Sequence, residues 1–223
     1  MNFLVSGHTS EIAKQVVKQF KTLRSDIKVH TVGRNTNSDI YCDFSEHSSI
    51  SRLINEVLPE LELSHLFLNH GILLGEKALN LSEKQVSEYM MVNCYSFIAV
   101  LEAISSCKGL NTVVMSSISG KEGSYDPIYA ATKAGVDSFR YKASKQFDAS
   151  SRLNYISPGI VADARMTLSR KDVDNLTLLK GITPTQNFTN SREVADMVVF
   201  LLTNPGNINF QDIAINGGMS LNR

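Results

Sequence analysis

Phe3-Leu4-Val5 is a short apolar run that stops at Gly7. Beyond it, Ile12, Ala13, Val16, Val17 and Phe20 recur at helical spacing between residues 11 and 24. The run reads as a strand and the recurrence as a helix with one apolar face. The pairing repeats along the chain. Residues 27–32 alternate as a strand does, and 39–42 form another short strand candidate closed by Asp43. Ser45 is placed to cap a helix carrying Ile50, Leu53, Ile54 and Val57. A strand over 65–68 ends in Asn69-His70-Gly71, and a long helix capped by Ser82 runs from 82 to 106. A strand then begins at Thr112, a helix covers 127–147, and a strand over 153–156 is broken by Pro158-Gly159. Residues 160–190 are irregular, with one helix suggested over 172–180. Ser191 stands before a last helix through Leu202, and a last strand over 210–215 ends in Asn216-Gly217-Gly218.

Strands and helices alternating through short connections predict an α/β fold, a parallel sheet with helices on both faces. No repeat, low-complexity tract or linker interrupts the pattern, so residues 1–223 are expected to form one domain. Ligands of such sheets bind beyond the carboxyl ends of the strands. Gly7, Arg34, Asp43, Asn69 to Gly71, Ser117 and Pro158-Gly159 all fall there, which argues for a single site.

Composition narrows the function classes. With 43% hydrophobic residues the chain can bury a sizeable core, and its 22 basic and 22 acidic residues cancel. No basic excess points to nucleic acid. The longest apolar runs, such as residues 197–202, are too short to span a membrane. Met1-Asn2-Phe3-Leu4-Val5 lacks the features of a signal peptide, so a cytoplasmic location is expected. Cys42, Cys94 and Cys107 are odd in number and widely spaced, which suggests neither disulfides nor zinc, and the histidines show no metal-ligand spacing. The expected partner is a small molecule, with no metal.

Three stretches carry candidate chemistry. In Ser6-Gly7-His8-Thr9-Ser10-Glu11-Ile12-Ala13, a strand–glycine–helix turn would aim backbone N–H groups at a pyrophosphate. With one glycine where a dinucleotide turn usually has three, it reads equally as an ordinary βα turn. Gly33-Arg34 follows the second strand. There a guanidinium accommodates a 2′-phosphate where an acid would bind the ribose 2′-OH, so Arg34 favours NADP over NAD, unless it is simply a solvated turn residue. Asp43 is either an acceptor for an adenine amino group or a turn former.

The third stretch runs from Thr112 to Lys133. Ser117 ends a strand, and Tyr129 and Lys133 follow one helical turn apart on one helix face. Such a set suits proton transfer at a carbonyl oxygen. A nearby ammonium is expected to lower the tyrosine pKa toward neutrality, and the serine hydroxyl can hold the oxygen. A second Tyr-x-x-x-Lys, Tyr141 to Lys145, lies roughly 18 Å further along the same helix and is assigned to the surface or a subunit contact.

In order and spacing these pieces resemble the classical short-chain dehydrogenase/reductase family over nearly the whole chain. The matching pieces are Gly7, Asn69-His70-Gly71, Asn93, Ser117-Ile118-Ser119-Gly120, Tyr129 to Lys133, Pro158-Gly159 and Asn216-Gly217-Gly218. The resemblance implies a Rossmann-type, doubly wound sheet of about seven strands. It implies a catalytic set of Asn93, Ser117, Tyr129 and Lys133, with Asn93 holding a proton-relay water and Lys133 also binding the nicotinamide ribose. Cofactor contacts are expected from Gly7, Thr9, Ser10, Glu11, Ile12, Arg34, Asp43, Asn69, His70, Gly71, Tyr129, Lys133, Pro158, Gly159 and Val161. A homodimer or homotetramer built on the two long helices is likewise implied.

The chain departs from the family pattern at three places. Glu11 and Ala13 replace glycines, Glu11 putting a carboxylate near the expected diphosphate. His70 replaces a small residue, and Asp163 stands where a threonine would hold the carboxamide. Residues 160–190 are the expected substrate lid, holding Met166, Leu168, Leu176, Leu178 and Leu179 but also Arg165, Arg170 and Lys171. The leading expectation is an NADP(H)-dependent oxidoreductase interconverting a carbonyl and a secondary alcohol. The alternative is a non-catalytic dinucleotide-binding or regulatory protein of the same fold.

Overall fold

The computed structural model describes residues 1–170, 173–204 and 206–221. Its centre is one seven-stranded sheet, all parallel, in the order β3-β2-β1-β4-β5-β6-β7. The strands are β1 (Asn2–Ser6), β2 (Lys28–Gly33), β3 (Ile40–Tyr41), β4 (Leu63–Leu68), β5 (Asn111–Met115), β6 (Arg152–Pro158) and β7 (Asp212–Ile215). The chain winds outward from β1 to β3, then returns to place β4 on the other side of β1. That reversal opens a crevice at the carboxyl ends of β1 and β4.

Successive strand residues point to opposite faces, so both faces are apolar. Phe3, Val5, Phe67 and Val113 pack with Ile12, Val16 and Phe20 of α1 (Glu11–Leu23) and with Val194 and Val198 of α9 (Ser191–Thr203). Leu4, Leu66, Leu68 and Val114 pack on the other side with Phe97, Val136 and Phe139. These last come from α4 (Ser96–Ala103) and α6 (Pro127–Ala143), while α2 (His47–Arg52) contributes Ile50.

Several elements differ locally from the expectation. Ser45 does not cap the second helix: it donates its N–H and hydroxyl to Asp43 Oδ1 at 2.9 and 2.7 Å, and the cap falls on Glu46. That helix then loosens into a π turn (Leu53–Val57) and a 3-10 turn (Leu58–Glu60). The helix capped by Ser82 begins as expected, with a full capping box to Gln85. It is split by a π turn (Met91–Tyr95) into α3 (Glu83–Met90) and α4. The last helix is capped by Asn190, because Ser191 donates to Asp163 Oδ1 at 2.8 and 2.9 Å. The segment thought irregular holds α7 (Arg165–Leu168) and α8 (Val173–Ile182), flanked by a bridge between Val161 and Thr189. Lys171 and Asp172 lie outside the described residues. A short α5 (Ser119–Glu122) precedes α6.

His65 of β4 sits against the rings of Phe3 and Phe20 at 6.3 and 4.9 Å, with Nδ1 2.9 Å from Ser64 Oγ. Burial holds its pKa down to about 4. An unfolded histidine titrates near about 6.5. Between those values the unfolded chain binds a proton that the folded chain refuses, so stability falls with pH through that window and the loss is complete near 4. The loss from His65 amounts to about 2–3 kcal/mol at most. His70, buried and also held well below its ordinary value, acts in the same direction. The thermal midpoint should therefore drop between pH 7 and 5, and His65→Gln should make that drop shallower. An unchanged slope in the variant would remove His65 from the account.

Candidate active site

Beyond Met115 the backbone keeps its hold on β6. Ser116 N donates to Ile156 O at 2.8 Å and Ile118 N to Pro158 O at 3.2 Å. Ser117 is fixed between them and its Oγ accepts from Ser119 N at 3.1 Å. A Cβ at Gly120 would come within 2.9 Å of Lys133 C and Ala134 N, so only glycine lets α5 lie this close to α6. That contact sets Ser117 near Tyr129, where its hydroxyl pulls the tyrosine pKa down.

Asp126 starts α6. Its Oδ1 accepts from Tyr129 N at 2.9 Å, and Pro127 supplies a helix-ready φ at the next position. Its Oδ2 accepts from Gly75 N at 3.0 Å and from the Tyr89 hydroxyl, which itself accepts from Leu74 N. One fully buried carboxylate thus ties α3, the loop after β4 and the first turn of α6 together. The sequence reading passed over Asp126 and Tyr89. Asp-Pro ahead of a helical pattern was the available signal for the first, and nothing local marked the second.

Lys133 lies on the same face of α6 as Tyr129 and is 3% exposed. Its Nζ donates to Met115 O at 3.0 Å and sits 5.0 Å from the Phe97 ring centroid and 5.9 Å from that of Tyr129. Burial lowers Lys133 to about 8, partly opposed by Cys94. Burial raises Tyr129 to about 12 against the pull of Ser117, with Asp126 and Tyr125 adding to the rise. The lowered tyrosine expected from Lys133 is absent in this state. The ammonium is directed at Met115 O, and desolvation dominates.

Asn93 falls inside the π turn and is fully buried. Its side chain clamps Ile72, accepting from Ile72 N and donating to Ile72 O, both at 2.8 Å. Gly71 passes so close that a Cβ there would meet Asn93 Oδ1 at 3.3 Å.

The glycine turn is tightly built. Gly7 has φ +62°, and a Cβ on it would meet Asn69 O at 2.6 Å and His70 N at 2.8 Å. Asn69 Nδ2 donates to Gly7 O at 3.2 Å and to Ser10 Oγ at 2.8 Å, while Ser10 caps α1 through Ala13 N at 3.1 Å. Thr9 is exposed and the Ile12 side chain is in the core. Glu11 accepts from Gln15 Nε2 at 2.9 Å and lies 3.7 Å from Lys14 Nζ, so partners on its own helix hold its carboxylate. Ala13 is fully buried.

The His70 ring faces inward, stacked 3.7 Å from Phe44 and 4.2 Å from Phe97. Its nitrogens lie 2.7 Å from Ser6 Oγ and 2.8 Å from Ser96 Oγ. Only its backbone remains for a ligand. Arg34 is 61% exposed and 3.9 Å from both Asp43 and Glu88. Gly159 N donates to Ile215 O at 2.9 Å, and a Cβ there would meet Asn216 Cβ at 2.9 Å. Asp163 is occupied by the Ser191 N–H and hydroxyl, which leaves the Val161 backbone beside Pro158-Gly159. Arg170 lies over the Tyr125 ring at 4.6 Å, joining residues 160–190 to the loop before α6.

Gly7, Asn69 to Gly71, Ser117, Tyr129, Lys133 and Gly159 thus gather at the carboxyl ends of β1, β4, β5 and β6. Gly7 and Gly159 pack tightly against Asn69 and Asn216, which fixes these turns at the carboxyl edge of the sheet where a dinucleotide would lie. Tyr141 stands apart, 72% exposed with Lys145 Nζ 3.0 Å from its hydroxyl. Among the described residues no cluster could hold a metal ion, and no helix is long and apolar enough to cross a membrane.

The family model described as enoyl-(acyl carrier protein) reductase matches residues 8–220. Among solved structures, a short chain dehydrogenase family protein from Francisella tularensis superposes with TM-score 0.82 at 20% identity, over 99% of this chain and 98% of that one. A short-chain dehydrogenase/reductase, glucose/ribitol dehydrogenase, from Brucella melitensis gives 0.84 at 17%, over 98% and 96%. A protein titled ribose-5-phosphate isomerase from Brucella melitensis gives 0.83 at 19%, over 99% and 92%. A search of curated protein sequences finds no match.

Proposed function

The chain belongs to the short-chain dehydrogenase/reductase family, whose members are NAD(P)-dependent oxidoreductases, and from that premise we propose that it is an NADP(H)-dependent enzyme interconverting a carbonyl and a secondary alcohol. The observation that carries the reading is Tyr129 with Lys133 one turn along the same face of α6, its Nζ 5.9 Å from the Tyr129 ring centroid, and Ser117 near enough to act on the Tyr129 hydroxyl. A bound nicotinamide supplies the hydride in one direction and takes it in the other. In reduction, Ser117 donates a hydrogen bond to the substrate oxygen and Tyr129 gives that oxygen its proton. In oxidation, Tyr129 as phenolate removes the hydroxyl proton. Lys133 stabilises the phenolate and reaches the nicotinamide ribose. The Asn93 side chain is taken up by Ile72, so its contribution to a proton relay falls to backbone carbonyls freed by the π turn.

Gly7, Thr9, Ser10, Glu11 and Ile12 receive the pyrophosphate through backbone N–H groups. Asn69, His70 and Gly71 border the adenosine ribose, Asp43 the adenine, and Pro158, Gly159 and Val161 the carboxamide. Residues 160–190 cover the substrate, and the protein works as a cytoplasmic homodimer or homotetramer.

Arg34 is the basis of the NADP preference. Arg34→Ala should weaken NADPH binding about tenfold, the effect of one charge-assisted contact at an exposed site, and leave NADH unchanged. Nicotinamide fluorescence titration measures both. Equal weakening of the two would remove Arg34 from 2′-phosphate recognition. A non-catalytic reading draws on Glu11, and failure of both dinucleotides to bind would bring it forward.

A further inference from the structure

Behind the turn that carries Arg34 lies an imidazole with no described role. His8 follows Gly7, and its ring reaches the end of β2. A Cβ on Gly33 would stand 3.8 Å from His8 Nδ1 and Cε1, and 3.4 Å from Ser38 Oγ. Both ring nitrogens of His8 and the Ser38 hydroxyl are shut off from solvent without a hydrogen-bond partner among the described residues. A buried polar atom left unpaired costs about 1–3 kcal/mol, and here three are gathered at one corner. A cluster of this kind calls for a partner beyond the protein's own groups, a water or a group of a ligand.

The roof over His8 is a surface turn. Residues 34–37 are exposed, and a backbone bond from Ser38 N to Asn35 O at 2.9 Å closes the turn. Asp39 is near enough for His8 to act on it. Its Oδ2 is held by Thr31 N and Thr31 Oγ1, both at 2.8 Å, and His8 acts on it only weakly beside those bonds. The Asp39 carboxylate is therefore already engaged. The corner between the first βα turn and the end of the second strand is where a Rossmann sheet receives the 2′ position of the adenosine ribose. Arg34, exposed and 3.9 Å from both Asp43 and Glu88, has part of its charge offset, so a phosphate there would gain from a further donor.

We propose that His8 is a specificity-determining residue that, with Ser38, hydrogen-bonds the 2′-phosphate of the adenosine ribose from the side opposite Arg34 when the 34–38 turn lifts. The proposal rests on the NADP reading above. In the bound state an imidazole N–H and the Ser38 hydroxyl donate to phosphate oxygens, and the orphaned atoms gain their partners.

Calorimetric titration with 2′,5′-ADP and with 5′-ADP isolates the 2′-phosphate from the rest of the cofactor. The unmodified protein should prefer 2′,5′-ADP. His8→Ala should weaken 2′,5′-ADP at least about tenfold and leave 5′-ADP within about twofold, and His8→Gln, which keeps an N–H donor, should recover part of the loss. A ring signal of His8 that shifts in the NMR spectrum on adding 2′,5′-ADP, and not on adding 5′-ADP, gives a second readout without turnover. An unchanged nucleotide ratio in His8→Ala overturns the proposal, and so does equal weakening of the two nucleotides, which would place the ring against their shared part. If the unmodified protein shows no preference for 2′,5′-ADP, the NADP reading itself fails, and that titration alone identifies the failure.

Discussion

Tyr129→Phe is expected to lower turnover about a thousandfold while leaving NADPH affinity within about threefold, because it removes the acid and keeps the ring. The pH dependence sharpens the expectation. At about 12, Tyr129 holds its proton throughout the neutral range. Reduction needs that proton, so its rate should be level between pH 6 and 7.5 and decline above about 8, where Lys133 loses its charge. Oxidation needs the phenolate, so its rate should rise about tenfold per pH unit over the same interval. The site as built therefore favours reduction at neutral pH. Steady-state rates in both directions, for any carbonyl substrate found by screening, decide the matter. Undiminished turnover in Tyr129→Phe would sink the acid/base assignment. An oxidation rate already level at pH 7 would mean that the loaded site brings Tyr129 down from 12, as Lys133 could do if it left Met115 O.

What was legible in the chain was local. The strand runs, the helical spacing after Gly7, the Ser82 cap and the Ser117–Tyr129–Lys133 spacing each depend on neighbours within a turn or two, and each stands in the structure. What escaped depends on partners far along the chain. Ser45 and Ser191 look like caps, but Asp43 and Asp163 claim them, and each helix begins one residue away from the expected cap. The π turn at Asn93 leaves the apolar pattern of the long helix almost undisturbed, so periodicity could not show it. The helix suggested over 172–180 stands as α8, but α7 is four residues with none buried, too short for a periodic stripe to show. His70 looked like a ligand contact because it follows Asn69. Its inward setting comes from Phe44, Ser96 and Phe97, which no local pattern ties to it. The Tyr129 shift was misjudged in sign because charge can be read from sequence and desolvation cannot.

Asp126→Ala should cost a large share of the stability while leaving Ser117, Tyr129 and Lys133 in place. Two contributions add. The missing cap on Tyr129 N costs about 1 kcal/mol, and the Tyr89 hydroxyl left without its buried acceptor costs about 1–3 kcal/mol. A total near 3 kcal/mol lies below the 5–15 kcal/mol typical of a folded domain, so the variant should fold, with a thermal midpoint lower by about 6–12 °C. Activity should suffer separately from stability. The first turn of α6 carries Tyr129, and the loop at Leu74-Gly75 is held to it through Asp126 and Tyr89. Loosening both should lower turnover about tenfold, and NADPH affinity should stay near its original value because the glycine turn makes no contact with Asp126. Asp126→Asn keeps one acceptor for the cap and should restore part of the midpoint. Tyr89→Phe takes the acceptor from Leu74 N but leaves Asp126 Oδ2 its bond from Gly75 N, so it should cost less alone and should make the Asp126→Ala loss smaller when the two are combined. Fully additive losses, or a midpoint in Asp126→Ala within about 2 °C of the original, would show that the buried carboxylate does not hold these three elements together.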